Sequence, residues 1–146
     1  MKVELTGEES AVLKKQFALQ AVRFIQQELE NKGCVFPSKD SLLVIACVSG
    51  DAIRKLNQQF RGKDKVTDIL SFAPVEEESL GELALCMPQV EIQAQEHGLT
   101  VEEETFYLIL HGILHLLGYN HEKGGKQARE MYAIQDEVFE EWRKQQ

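Results

Sequence analysis

The 146-residue chain is 43% hydrophobic and carries 24 acidic against 16 basic side chains, a formal net charge of -8. A chain of that size buries a core without disulfides or a metal staple, so any metal is expected to serve chemistry rather than rescue folding. The acidic balance excludes a surface built throughout to hold nucleic acid, and leaves room only for a local basic patch.

No apolar run is long enough to span a membrane, and the N-terminal MKVELTGEES lacks the succession of a signal peptide. The expectation is a soluble protein of cytoplasmic location with no membrane partner. Cys34, Cys47 and Cys86 are odd in number and show no CxxC spacing, so they read as reduced, two of them inside apolar runs.

In chain order, residues 2 to 6 form a short first strand. Leu13, Phe17, Ala21, Ile25 and Leu29 recur at every fourth position, the stripe of an amphipathic helix from about Gly7 to Asn31, with Gly33 as its stop. The apolar run Leu42 to Val48 predicts a strand covered on both faces. Ser49 and Asp51 offer N-cap oxygens for a helix whose Ile53, Leu56 and Phe60 face inward. Two further strands are expected, Asp68 to Phe72 stopped by Pro74, and Leu80 to Met87 stopped by Pro88.

Pro88 opens a short helix that leaves at Gly98, and beside that exit His97 reads as a surface or capping residue. Thr100 and Glu103 make a capping box for a helix apolar nearly all round from Phe106 to Leu117, which belongs in the middle of the fold. A last helix, Lys126 to about Arg143, presents Ala128, Met131, Gln135, Val138 and Trp142 as a packing stripe. The sum is an α+β fold in a single domain over residues 1–146. A small mixed sheet of about four strands is surrounded by helices, and the central apolar helix carries the candidate ligands.

Those ligands are histidines. In HGILHLLGYNH, His111 and His115 stand four apart, so on a helix they leave the same face about one turn from each other. Gly118 can turn the chain so that His121 returns toward the same point. An apolar helix gains nothing from two adjacent polar rings unless something binds them. Three imidazoles with an open fourth position are the arrangement of a catalytic zinc, expected at one Zn2+ per chain. Zinc is favoured by geometry and availability, since imidazole also suits copper, nickel and iron. The spacing is that of H-E-x-x-H-x-x-G-x-x-H zinc proteases, but Gly112 stands where they place the glutamate base, which makes peptide hydrolysis the minor alternative.

Between Arg54 and Lys65 lie five basic residues, Arg54, Lys55, Arg61, Lys63 and Lys65, against the single acid Asp64. Such asymmetry suits an anionic ligand, although a solvated loop balancing the runs Glu76 to Glu78 and Glu102 to Glu104 explains it equally well.

FRGKDKVTDILSF, LGELALC and HGILHLLGYNH, in that order, resemble the YbeY family of rRNA maturation factors, over roughly Leu42 to Val138. The resemblance implies a cytoplasmic, metal-dependent, single-strand-specific endoribonuclease acting in 16S rRNA 3′-end maturation and ribosome quality control, with single-stranded RNA and the small ribosomal subunit as partners. It also implies a small mixed sheet with surrounding helices. The family's metal-binding histidines fall on His111, His115 and His121, and its functionally important arginine on Arg61, the catalytic candidate. From the basic loop itself, Lys63 and Lys65 join Arg61 as candidates for binding substrate. Asn120 departs from the family, which commonly has Asp before the last histidine; an altered rate rather than a lost site is expected. Zinc held by neutral imidazoles activates water near neutral pH, and the sequence leaves open whether that water attacks phosphorus or a 2′-OH does. The alternatives are a non-catalytic, zinc-stabilised ribosome assembly or RNA-binding factor and, less favoured, a metal hydrolase of peptides or small molecules.

Overall fold

The structure, a computed structural model, describes residues 1–7, 13–122 and 124–146. Its elements run β1 (Lys2–Thr6), α1 (Lys15–Asn31), β2 (Leu42–Cys47), α2 (Gly50–Arg61), β3 (Ile69–Phe72), β4 (Gly81–Leu85), α3 (Met87–His97), α4 (Val101–Leu116) and α5 (Gly125–Lys144). The strands make one four-stranded sheet in the order β1-β2-β4-β3. β1, β2 and β4 are parallel and β3 is antiparallel to β4, the mixed α+β sheet that the patterning predicts. Among the described residues no helix is long and apolar enough to cross a membrane.

Side chains alternate across a strand, and the two faces of the sheet are covered unequally. Leu43, Ile45, Leu83 and Leu85 join the main core with α1, α4 and α5. Ala84, Cys86 and Leu70 join a smaller cluster with Ile53 of α2. β2 therefore departs from the expected strand covered on both faces: Leu43, Ile45 and Cys47 are buried, whereas Leu42, Val44 and Ala46 are half-buried. The cause is the smaller cluster, whose strand residues come from β3 and β4 and leave the second face of β2 partly open.

α1 begins at Lys15, later than the expected Gly7. Gly7 instead ends β1 at φ +97°, and a Cβ there would collide with the Cys47 backbone carbonyl. The remainder of the predicted first turns, residues 8–12, lies outside the described residues. α2 is capped as read, with the Ser49 Oγ accepting from Ala52 N at 3.1 Å. Its inward face is shorter than predicted: Ile53 is buried, but Phe60 is 58% exposed. By the last turn, α2 has reached the margin of the cluster that Ile53 joins, where Phe60 meets the partly buried Phe72.

α4 starts in the predicted capping box, the Thr100 hydroxyl accepting from Glu103 N and the Glu103 carboxylate from Thr100 N. Phe106 on α4 stacks on Trp142 of α5 with centroids 4.1 Å apart, which fixes α5 against the central helix. At Gly112 the helix lies so near the sheet that a Cβ would meet Leu83 Cδ2 at 2.6 Å and Ile69 Cδ1 at 3.2 Å. That close approach decides what can stand next to His111.

Candidate metal centre

α4 presents His111 and His115 one turn apart, with ring centroids separated by 4.6 Å. The helix then ends, with Gly118 at φ +106°. Tyr119 N donates to Leu114 O at 3.0 Å, and the reversed chain brings His121 within 5.0 Å of the His111 ring and 4.8 Å of the His115 ring. Asn120 steadies this loop by accepting from Glu122 N at 2.8 Å. One nitrogen from each of the three rings lies within 4.8 Å of the others, so the group can hold a metal ion.

Hydrogen bonding around the rings tests whether a cation fits. Gln135 Nε2 donates to the Tyr107 carbonyl at 3.5 Å, which leaves Gln135 Oε1 as acceptor for His111 Nδ1 at 3.0 Å. His111 Nδ1 therefore carries the proton and Nε2 the lone pair, and that Nε2 faces His115 Nε2 at 3.1 Å. His121 Nδ1 is buried without a hydrogen-bond partner. A buried orphan is costly in an empty site, and a cation shared by the three rings satisfies it while taking the lone pair of His111 Nε2. Burial lowers the pKa of His111, and burial together with His111, His121 and Arg61 pushes His115 down to about 4. Both rings are accordingly neutral near pH 7, the form that ligates metal without first losing a proton.

Sequence reasoning read Gln135 as part of a packing stripe. It is fully buried on α5 and orients His111 from 24 residues away. The glutamate missing beside His111 also has its physical reason here: position 112 faces Leu83 and Ile69, and no side chain fits.

The rings open into a cavity of about 400 Å3 that Arg61, Lys63, Lys65, Asp68 and Tyr132 also line. Structure thus brings the basic residues singled out in the sequence to the histidines, although not all five. Arg54 is spent on Asp64, Nε to Oδ1 at 2.6 Å, and lies outside the cavity. Arg61, in the last turn of α2, reaches across to Glu122 Oε1 at 2.8 Å, next to His121.

His97 is exposed in the last turn of α3, as a surface residue at a helix end should be, but it also has a partner that the sequence did not show. Its Nδ1 lies 3.1 Å from both oxygens of Glu104, whose side chain is 2% exposed, and both residues line the same cavity. The hydrogen bond and charge of Glu104, with Glu96 and Asp68 adding less, raise the His97 pKa above its ordinary value. A raised pKa stabilises the fold below the unfolded value of about 6.5, and the contribution is lost as pH rises through the folded value. The melting-temperature gap between wild type and His97→Asn is therefore expected to be widest near about pH 6 and to narrow toward about pH 9. A gap that stays constant or widens with pH contradicts the pairing.

A small mixed sheet packed against a central helix that, with the turn after it, brings three imidazoles together beside a cationic rim defines an α+β protein able to hold a metal ion within reach of solvent. The model of the family described as Endoribonuclease YbeY matches residues 3–143, and the chain belongs to that family. The Endoribonuclease YbeY of Bdellovibrio bacteriovorus is 38% identical over 141 residues, covering 96% of this chain and 94% of the relative. That of Thermotoga maritima is 46% identical over 103 residues, covering 68% and 69%. A solution structure of a Thermotoga maritima protein superposes with a TM-score of 0.63 at 32% identity, covering 98% of this chain and 93% of that one.

Proposed function

We propose that this protein is a single-strand-specific endoribonuclease that uses one zinc ion held by His111, His115 and His121. In this reading it acts in the cytoplasm on the small ribosomal subunit, in 16S rRNA 3′-end maturation and ribosome quality control. The observation that carries the proposal is the cavity in which the three ring nitrogens converge beside Arg61. The relatives named as endoribonucleases support RNA as the substrate. An all-imidazole donor set, joined by no carboxylate or thiolate among the described residues, suits zinc.

A divalent ion held there supplies Lewis acidity and activates water near neutral pH, work for which position 112 offers no carboxylate. Gln135 holds His111 in the tautomer that leaves Nε2 available. Arg61 exchanges Glu122 for a phosphate of the substrate, since an exposed ion pair is held by little net free energy. Its planar fork then meets the charge that grows on the phosphoryl oxygens, with Lys63 and Lys65 as further cations along the strand. The net charge of -8 is no obstacle, because the attraction is local to this rim.

Cleavage of end-labelled single-stranded RNA tests the reading. Expected is cutting that stops on chelation, returns with zinc and fails on a duplex of the same sequence. A 2′,3′-cyclic phosphate product assigns attack to the 2′-OH, whereas a 5′-phosphate with a 3′-hydroxyl assigns it to water. No cleavage, with RNA still bound, would make the protein a zinc-stabilised assembly factor instead. A second test concerns Gln135: Gln135→Leu is expected to weaken metal affinity by about 10–100-fold in competition with a chelating dye. Unchanged affinity would remove Gln135 from the centre.

A further inference from the structure

Phe60 is exposed at the end of α2, directly before Arg61. Its ring is braced by Phe72 in an edge-to-face pair, centroids 5.1 Å apart at 75°. A groove of about 760 Å3 lies over it, within the range of small-ligand sites at about 300–1,000 Å3. Arg61, Lys63, Ser71, His121 and Glu122 line that groove, and all five also line the histidine cavity. The two spaces therefore adjoin along these residues, so a chain leaving the histidines past Arg61 arrives at Phe60.

We propose that Phe60 is a nucleobase subsite, on which one unpaired base stacks next to the phosphate that Arg61 grips. The inference rests on the RNA reading given above and adds the element that recognises the base. An exposed aromatic ring braced by a second ring and flanked by guanidinium and ammonium groups is the composition of a single-strand platform. Cations take the phosphates and the π-face takes the base, whatever its identity. A base held in a duplex cannot present its face to the ring, so the subsite supplies a physical source for preference toward single strands.

The test uses the full chain with Phe60→Ala, Phe60→Leu and Phe60→Trp, their folding compared by thermal melting. Leucine keeps an apolar side chain against Phe72 while removing the π-face. Binding of a fluorescein-labelled single-stranded oligoribonucleotide is followed by anisotropy on mixing. Loss of one stacked base predicts a Kd raised about tenfold for the alanine and leucine variants, and a tryptophan variant that binds at least as tightly as wild type. Single-stranded RNA should also quench the added tryptophan fluorescence of Phe60→Trp, and duplex RNA should not. Equal Kd values for all four proteins, equal losses on single strands and duplex, or no binding by wild type would overturn the subsite. The two readings fail separately: binding that depends on Phe60 without any cleavage sinks the nuclease alone, and cleavage indifferent to Phe60 sinks the subsite alone.

Discussion

Replacing His115 with alanine is expected to remove the bound metal and lower cleavage of single-stranded RNA by about a thousandfold or more. Two imidazoles then remain, with centroids 5.0 Å apart, and the turn of α4 between them no longer contributes a donor. No other His, Cys, Asp or Glu joins the cluster among the described residues, so nothing nearby replaces the lost nitrogen. His115 is half-buried and meets the other two rings and the Tyr119 backbone at the surface end of α4, so its removal should leave the core of the fold intact. Elemental analysis should read one metal per wild-type chain and none in the variant, with the two proteins melting alike in chelator. A variant that retains one equivalent of metal, or that loses it and cuts at the wild-type rate, contradicts the assignment.

The second large effect falls on folding. Gly112→Glu would restore the zinc-protease pattern in the sequence, but position 112 faces Leu83, itself fully buried. Added carbon atoms must displace the Leu83 and Ile69 side chains, and a carboxylate there has neither water nor a donor. The expected cost is at least about 3 kcal/mol, read as a shifted urea midpoint, with Gly112→Ala costing about 1–3 kcal/mol. A glutamate variant as stable as wild type would show that α4 does not need its close approach to the sheet.

Features written in local pattern were legible in the sequence. The capping box at Thr100, the N-cap at Ser49, the turn at Gly118 and the three histidines depend on residues within a turn or two of each other. What escaped depends on how separate elements meet. Gln135 falls on a helical stripe exactly as an apolar residue would, and only the arrival of α4 beside α5 gives its amide a purpose. His97 looks like a helix-end residue until α4 places the buried Glu104 against it. Phe60 keeps the periodicity of Ile53, yet periodicity cannot say where the sheet stops, and the helix outruns it. The early start assigned to α1 failed for a related reason: the stripe includes Leu13, which is buried ahead of the helix, not within it.

The central claim is an open centre made by three imidazoles, and X-ray absorption at the zinc edge of zinc-loaded protein tests it most directly. The account predicts a first shell of nitrogen and oxygen only, with three histidine ligands at about 2.0–2.1 Å and a remaining light-atom position that a small anion can take. A sulfur contribution at about 2.3 Å, or a shell closed by a fourth protein ligand that added anion leaves unchanged, would contradict it.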